Sequence, residues 1–310
     1  MKSLRQGVQE YLEYRWRLGF KLHRTQHLLT HFVSFMEQNR AKHITFKLAL
    51  KFATMDTKAP NAWASRLGII RRFAEYWSTV DPKTEVPQKK LLPNSYKRQS
   101  PYIYTDTEVT KLVECSESGY PNDRFDQYTY FVLFGLLAVT GMRIGEALAL
   151  NCEAVNVQNK IITIYQSKFR KSRYIPIHKT TAEVLNDYSK YRNQCFPNPT
   201  TSRFFIDRTG KALAERRVRH VFHKRLTKIG LTESKGCNPR IISLRHTFAV
   251  KTLLRWYKQG LAPVDQCIPL LATYLGHVKP TNTYWYLTAT PQLLQLVVSR
   301  CKTYNKRAES

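Results

Sequence analysis

Side chains suited to gripping a phosphate recur in four separated clusters of the sequence. Arg143 stands in TGMRIGEAL beside an expected helix start, where backbone N–H groups also favour anions. Lys168 stands in YQSKFRKSRYIPI at a strand turn, with Arg170, Lys171 and Arg173 beside it read as DNA contacts. Arg245 and His246 interrupt the apolar run IISLRHTFAV, where Leu244, Phe248 and Val250 mark a buried side. Charge on such a helix needs partners. His277 follows Gly276, and GHVKPTNTYWYLT ends with Tyr284 and Tyr286 flanking Trp285. Singly, each has an ordinary reading: a surface arginine, a solvated turn lysine, a structural histidine, a packing tyrosine. Together they offer in-line attack on a phosphodiester. Guanidinium forks hold non-bridging oxygens in pairs and stabilise charge growing at phosphorus. A lysine can protonate the departing oxygen. A tyrosine, with an ordinary pKa of about 10, needs strongly positive surroundings to ionise and attack. Residues two apart on a helix differ by roughly 200°, so Tyr284 and Tyr286 cannot both face one phosphate.

The elements that position these residues are mostly helical. Apolar residues recur every three to four positions over 5–38 (Val8, Leu12 and Trp16, then Leu28, Leu29, Phe32, Phe35 and Met36), with a break expected at Gly19. Further helices are expected at 41–55 and, after Pro60 and Asn61, at about 61–79. The stretch 80–101 is rich in proline and Lys/Arg and poor in large apolar residues, which predicts a linker. A second domain opens at YTDTEVTKLVE, where Thr105 or Asp106 can cap a helix with Glu108 in its first turn. An apolar helix follows at 126–139, then a turn and a helix ending near Leu150. Residues 155–177 predict two or three strands, with turns at Gln158-Asn159 and Phe169-Arg170, and 180–300 is mostly helical. The basic helix 212–228 carries Arg216, Arg217, Arg219, Lys224 and Arg225, read as phosphate contacts. Arg66, Arg71 and Arg72 are read the same way in the first domain.

Charge points to the partner. The 310 residues carry 50 Lys+Arg against 22 Asp+Glu, a formal net charge of +28. The excess is spread along the chain, which suits a long contact with DNA or RNA and a strong salt dependence. A hydrophobic content of 43% supports folded cores. No apolar run is long enough to span a membrane, and the N-terminus lacks the features of a signal peptide, so a cytoplasmic location is expected. The six cysteines include no Cys-x-x-Cys pair and read as free thiols. His220, His223 and Cys237 match no standard zinc ligand set, so no metal is expected.

The order Arg143, Lys168, LRHTFA, LGH and a following tyrosine resembles the tyrosine recombinase (phage integrase) family. The likeness covers about 105–300 closely in TGMRIGEALAL, LRHTFA and YLGHVKPTNTYWYL, and 1–80 more loosely. TYWYLTAT is similar to transposon-borne members. The resemblance implies a mainly α fold with a helical, SAM-like core-binding domain at 1–82 and a linker at 83–104. A mostly helical catalytic domain with a small antiparallel sheet follows at 105–310. It implies Tyr286 as nucleophile, nine residues after His277, with Arg143, Lys168, Arg245 and His277 completing the catalytic set. Glu146, three residues after Arg143, would orient Arg143 or Lys168. The implied product is a 3′-phosphotyrosine link whose retained bond energy lets religation proceed without a cofactor. The implied partner is double-stranded DNA with an inverted-repeat site, bound by a homo-tetramer or a mixed assembly of related recombinases. The implied role is integration or transposition of a mobile element, in association with the nucleoid.

One position departs from the family pattern. A histidine is usual three residues before the second arginine, and Ile242 stands there. Isoleucine moves no proton, and a lost general acid or base often costs about 10²–10⁴-fold. His246 lies roughly 40° away around the helix and could compensate, although the family position is generally structural. Ile242 therefore keeps open an alternative, a DNA-binding architectural subunit that cuts poorly alone. A relaxing topoisomerase and an RNA-binding protein are weaker readings. The apolar stretch 291–303 is expected to form a helix that docks on a neighbouring protomer.

Overall fold

The computed structural model describes residues 2–20, 22–55, 59–92, 100–115, 124–165, 172–231, 238–259, 264–277, 281–288 and 295. The chain divides into two compact units, 1–98 and 99–310. The described residues of the first form helices without strands: α1 (Leu4–Arg17), α2 (His23–Gln38), α3 (Phe46–Thr54) and α4 (Pro60–Trp77). Ser3 and Gln6 form a capping box on α1, Thr45 caps α3, and Pro60 opens α4 at a position where its missing N–H costs nothing. Leu29, Phe32, Ile44, Ile70 and Phe73 are fully buried at the centre. The stripe of α1 ends early, since Val8 and Leu12 are buried while Trp16 is exposed.

The expected linker is folded at both ends. Glu85 N–H donates to Ile44 O at 2.8 Å, and buried Asp81 accepts from Thr84 at 2.9 Å and contacts His43 Nδ1 at 2.9 Å. Leu92 packs on the core of the first unit. These anchors are largely polar, so hydropathy gave no sign of them. At the other end Tyr104 is fully buried in the second unit, its N–H donating to Thr247 Oγ1 at 2.9 Å.

The second unit begins with α5 (Asp106–Glu114), closed by a Thr105–Glu108 capping box. There follow α6 (Arg124–Thr140), α7 (Ile144–Leu148), β1 (Val155–Asn156), β2 (Ile161–Ile164), β3 (Arg173–Pro176), α8 (Lys179–Cys195), α9 (Glu215–Lys228), α10 (Ile241–Gln259), α11 (Val264–Leu275) and α12 (Thr281–Tyr284). A 3₁₀ turn, Trp285–Thr288, continues from α12. The sheet is antiparallel in the order β1-β2-β3, with Ile162 opposite both Val155 and Ile175. Ile162, Ile164 and Ile175 alternate onto the buried face and seal the sheet against the helical core. A separate cluster joins α10, α11 and Tyr286 through Val250, Leu253, Ile268 and Leu271. The fold is mainly helical with one small sheet.

Candidate active site

The C-terminal end of α11 organises the site. Its last carbonyls carry partial negative charge and lack helical partners. Three arginines from three other elements supply them. Arg173 on β3 donates through Nε to Tyr274 O at 2.9 Å. Arg245 on α10 donates to Leu275 O at 2.6 Å and to Gly141 O at 2.8 Å. Arg143, the residue preceding α7, reaches Leu275 O at 3.5 Å and Gly276 O at 3.4 Å. The contacts of Arg143 are long and its side chain is partly exposed, so an arriving anion can claim it. Helix α7 spans five residues, so the site rests on the arginine and not on a helix start.

Glu146 joins two of these arginines. It lies 2.7 Å from Arg143 Nη1, and takes Arg173 in a two-pronged pair at 3.1 and 2.7 Å. Burial pushes this carboxyl up, but the hydrogen bonds from Arg173 and from the Arg143 backbone, with both guanidinium charges, carry it down to about 2. Arg245 is 3% exposed. Burial and then the like charge of Arg143 lower its pKa to about 10, against the opposing pull of Tyr286 and Glu146. It stays protonated at neutral pH, so among the described residues of the site one carboxylate faces three guanidiniums, a surplus of positive charge.

Two glycines allow this approach. Gly141 has φ +61°, and a Cβ there would sit 2.5 Å from Phe248 Cδ1. Gly276 has φ +67°, and a Cβ there would sit 2.9 Å from Arg173 Nη1. The chain then turns back, so that the His277 and Tyr286 rings stack with centroids 6.3 Å apart. His277 Nδ1 lies 2.7 Å from Thr283 Oγ1. Tyr286 is 2% exposed and its hydroxyl lies 3.0 Å from His246 Nδ1, whereas Tyr284 is 50% exposed. The two tyrosines thus part as expected, although Tyr286 sits in a 3₁₀ turn and not in a continuous α-helix.

The structure brings together Arg143, Glu146, Arg245, His246, His277 and Tyr286. Ile242 lies in the first turn of α10, 43% exposed. Lys168, Arg170, Lys171 and the stretch 291–303 fall outside the described residues, apart from position 295. Two of the expected DNA contacts are turned inward in the structure. Arg173 is committed to Glu146 and Tyr274 and is nearly buried. Arg225 is 2% exposed, donates to Leu112 O and Val113 O, and lies 5.1 Å from the Phe134 ring centroid. Both are cations in basic stretches, and sequence carries no sign of which one turns inward. Arg217 pairs with Asp126 at 2.6 Å, and Arg219 pairs with Glu215. Arg66 donates to Met55 O beneath the Phe52 ring, and Arg71 faces Glu75 at 3.7 Å. Arg72, Arg216 and Lys224 are exposed.

A mainly helical unit whose arginines, histidines and one tyrosine converge at a helix end has the architecture of a phosphodiester strand-transfer enzyme. The model of the phage integrase family matches residues 103–292. A protein of Sinorhizobium fredii named as integrase/recombinase y4rB is 40% identical over 308 residues, covering 97% of each chain. Tyrosine recombinase XerC of Chlamydia trachomatis is 25% identical over 77% of this chain and 70% of its own. Among solved structures, XerH site-specific recombinase bound to palindromic difH substrate superposes with a TM-score of 0.63 at 19% identity, covering 88% of this chain and 77% of that one. The Tn1549 transposon integrase in complex with circular intermediate DNA gives 0.61 at 16% identity, covering 92% and 95%. The chain belongs to the phage integrase family and is a tyrosine recombinase.

Proposed function

We propose that the protein breaks and rejoins double-stranded DNA through a 3′-phosphotyrosine at Tyr286, in the integration or transposition of a mobile element. The observation that carries this reading is the placement of Tyr286 beside Arg245, His246 and His277 at the end of α11, while Tyr284 is exposed. In this reading Arg143 and Arg245 exchange their helix-end carbonyls for the non-bridging oxygens of the scissile phosphate. His277 donates to a phosphate oxygen, and Lys168 protonates the leaving 5′ oxygen. The first unit acts as the core-binding domain, with 83–104 leading into the catalytic domain. Exposed cations such as Arg72, Arg216 and Lys224 hold the DNA backbone. No cofactor enters, because the phosphotyrosine retains the energy of the broken bond. An inverted-repeat site calls for several protomers, as a homo-tetramer or with related recombinases, at the nucleoid.

Ile242 favours a second reading, an architectural subunit that depends on partners for cleavage. Covalent trapping separates the two. The protein is incubated with nicked duplexes carrying the DNA that flanks its own gene, and adducts are resolved on denaturing gels. A shifted band that persists in Tyr284→Phe and vanishes in Tyr286→Phe is expected. No band from the wild type or from Ile242→His, on DNA that both bind, would establish the architectural reading.

A further inference from the structure

We propose that His246 is the base that takes the proton of Tyr286 during attack, and so is a catalytic residue of this chain; the proposal rests on the recombinase reading above. Its Nδ1 lies 3.0 Å from the Tyr286 hydroxyl, within direct transfer distance. The imidazole is held in place by the rigid helix α10, by Trp285 packed edge-on at 5.4 Å between centroids, and by the Tyr286 ring at 5.6 Å. Tyr286 is 2% exposed, so bulk water has little access to its proton. Ile242, one turn earlier on the same helix, carries no group able to accept one.

With Nε2 carrying the imidazole proton, Nδ1 accepts the hydrogen bond of the tyrosine hydroxyl. As the Tyr286 oxygen bonds to phosphorus, its proton moves to Nδ1, leaving an imidazolium. The bond from phosphorus to the 5′ oxygen breaks, and that oxygen takes its electron pair and a proton from a separate acid, Lys168 in the reading above. Religation reverses each move, and His246 returns the proton as the tyrosine oxygen leaves phosphorus. Imidazole and phenol differ in ordinary pKa by about 3.5.

The test uses the full chain on the nicked duplexes above, and on the same duplexes with sulfur replacing the bridging 5′ oxygen at the mapped cleavage position. Sulfur leaves without an acid, so it rescues a missing leaving-group acid and not a missing base. His246→Asn places an amide atom where Nδ1 was, keeping a hydrogen bond to Tyr286 without accepting its proton. The expected result is DNA affinity like the wild type and cleavage slowed about 10²–10⁴-fold on both substrates. A ring-fluorinated tyrosine at position 286, with a more acidic phenol, should recover part of the His246→Asn rate. Wild-type cleavage by His246→Asn, rescue by sulfur, no response to fluorination, or faster cleavage by His246→Ala would each overturn the assignment while leaving the recombinase reading intact. A wild type that forms no adduct on either substrate would instead remove the reading on which it rests.

Discussion

Glu146 shows at the scale of one residue how the site is held. Its carboxyl lies at about 2 in the fold against an ordinary value of 4.5. A depressed carboxyl stabilises the fold fully above its unfolded value, and that contribution is lost as pH falls from about 4.5 toward 2. Arg173→Met removes the two-pronged partner and leaves a buried carboxylate with Arg143 alone. The expected cost is about 3 kcal/mol at pH 7, read from urea unfolding. The gap from wild type should narrow as pH is lowered through the same window; an unchanged gap at pH 3 would show that Arg173 acts through packing alone. Ile242 presents the opposite case. It is 43% exposed, so Ile242→His should change stability by less than about 0.5 kcal/mol. In single-turnover trapping it should speed cleavage, because it supplies a proton-transfer group at the position where the family pattern has a histidine.

At the scale of elements, what was legible followed from periodicity and capping. Val8, Leu12, Leu29 and Phe32 mark α1 and α2, Thr105 and Glu108 close α5, and alternating isoleucines give β2 its buried face. The convergence on α11 was not legible, because it joins residues 173, 245 and 274–276 through backbone carbonyls, which every residue type offers. Trp16 and Arg225 failed in opposite directions for a related reason. A stripe or a basic run states what a face can do, and tertiary neighbours decide whether it is covered. The turn after α11 can be tested directly. Gly276→Ala must hold φ near +67° and bring Cβ within 2.9 Å of Arg173 Nη1. The left-handed conformation alone costs about 1–2 kcal/mol, and the clash pushes Arg173 off Glu146. Cleavage should fall by more than tenfold while DNA affinity, measured by gel shift, changes little; equal losses in both would place the damage outside the site.

At the scale of the whole molecule, a net charge of +28 has to be divided between holding the fold and holding DNA. Burial makes that division residue by residue along α9, where Arg216, Lys224 and Arg225 lie within three turns. Arg225 caps the end of α5 through Leu112 O and Val113 O and is 2% exposed, so it has no phosphate to reach. Arg225→Met leaves both carbonyls without their donor and should cost about 3 kcal/mol of stability. Arg216 and Lys224 are exposed. Replacing either with Ala should leave the unfolding midpoint nearly unchanged and lower the slope of log K against log salt by about 0.9. The slope of Arg225→Met should equal that of wild type under conditions where the variant is folded. Fluorescence anisotropy on one duplex across a salt series gives all three slopes. A reduced slope for Arg225→Met would mean that this arginine leaves its carbonyls for the DNA backbone, and that the second unit rearranges when it binds.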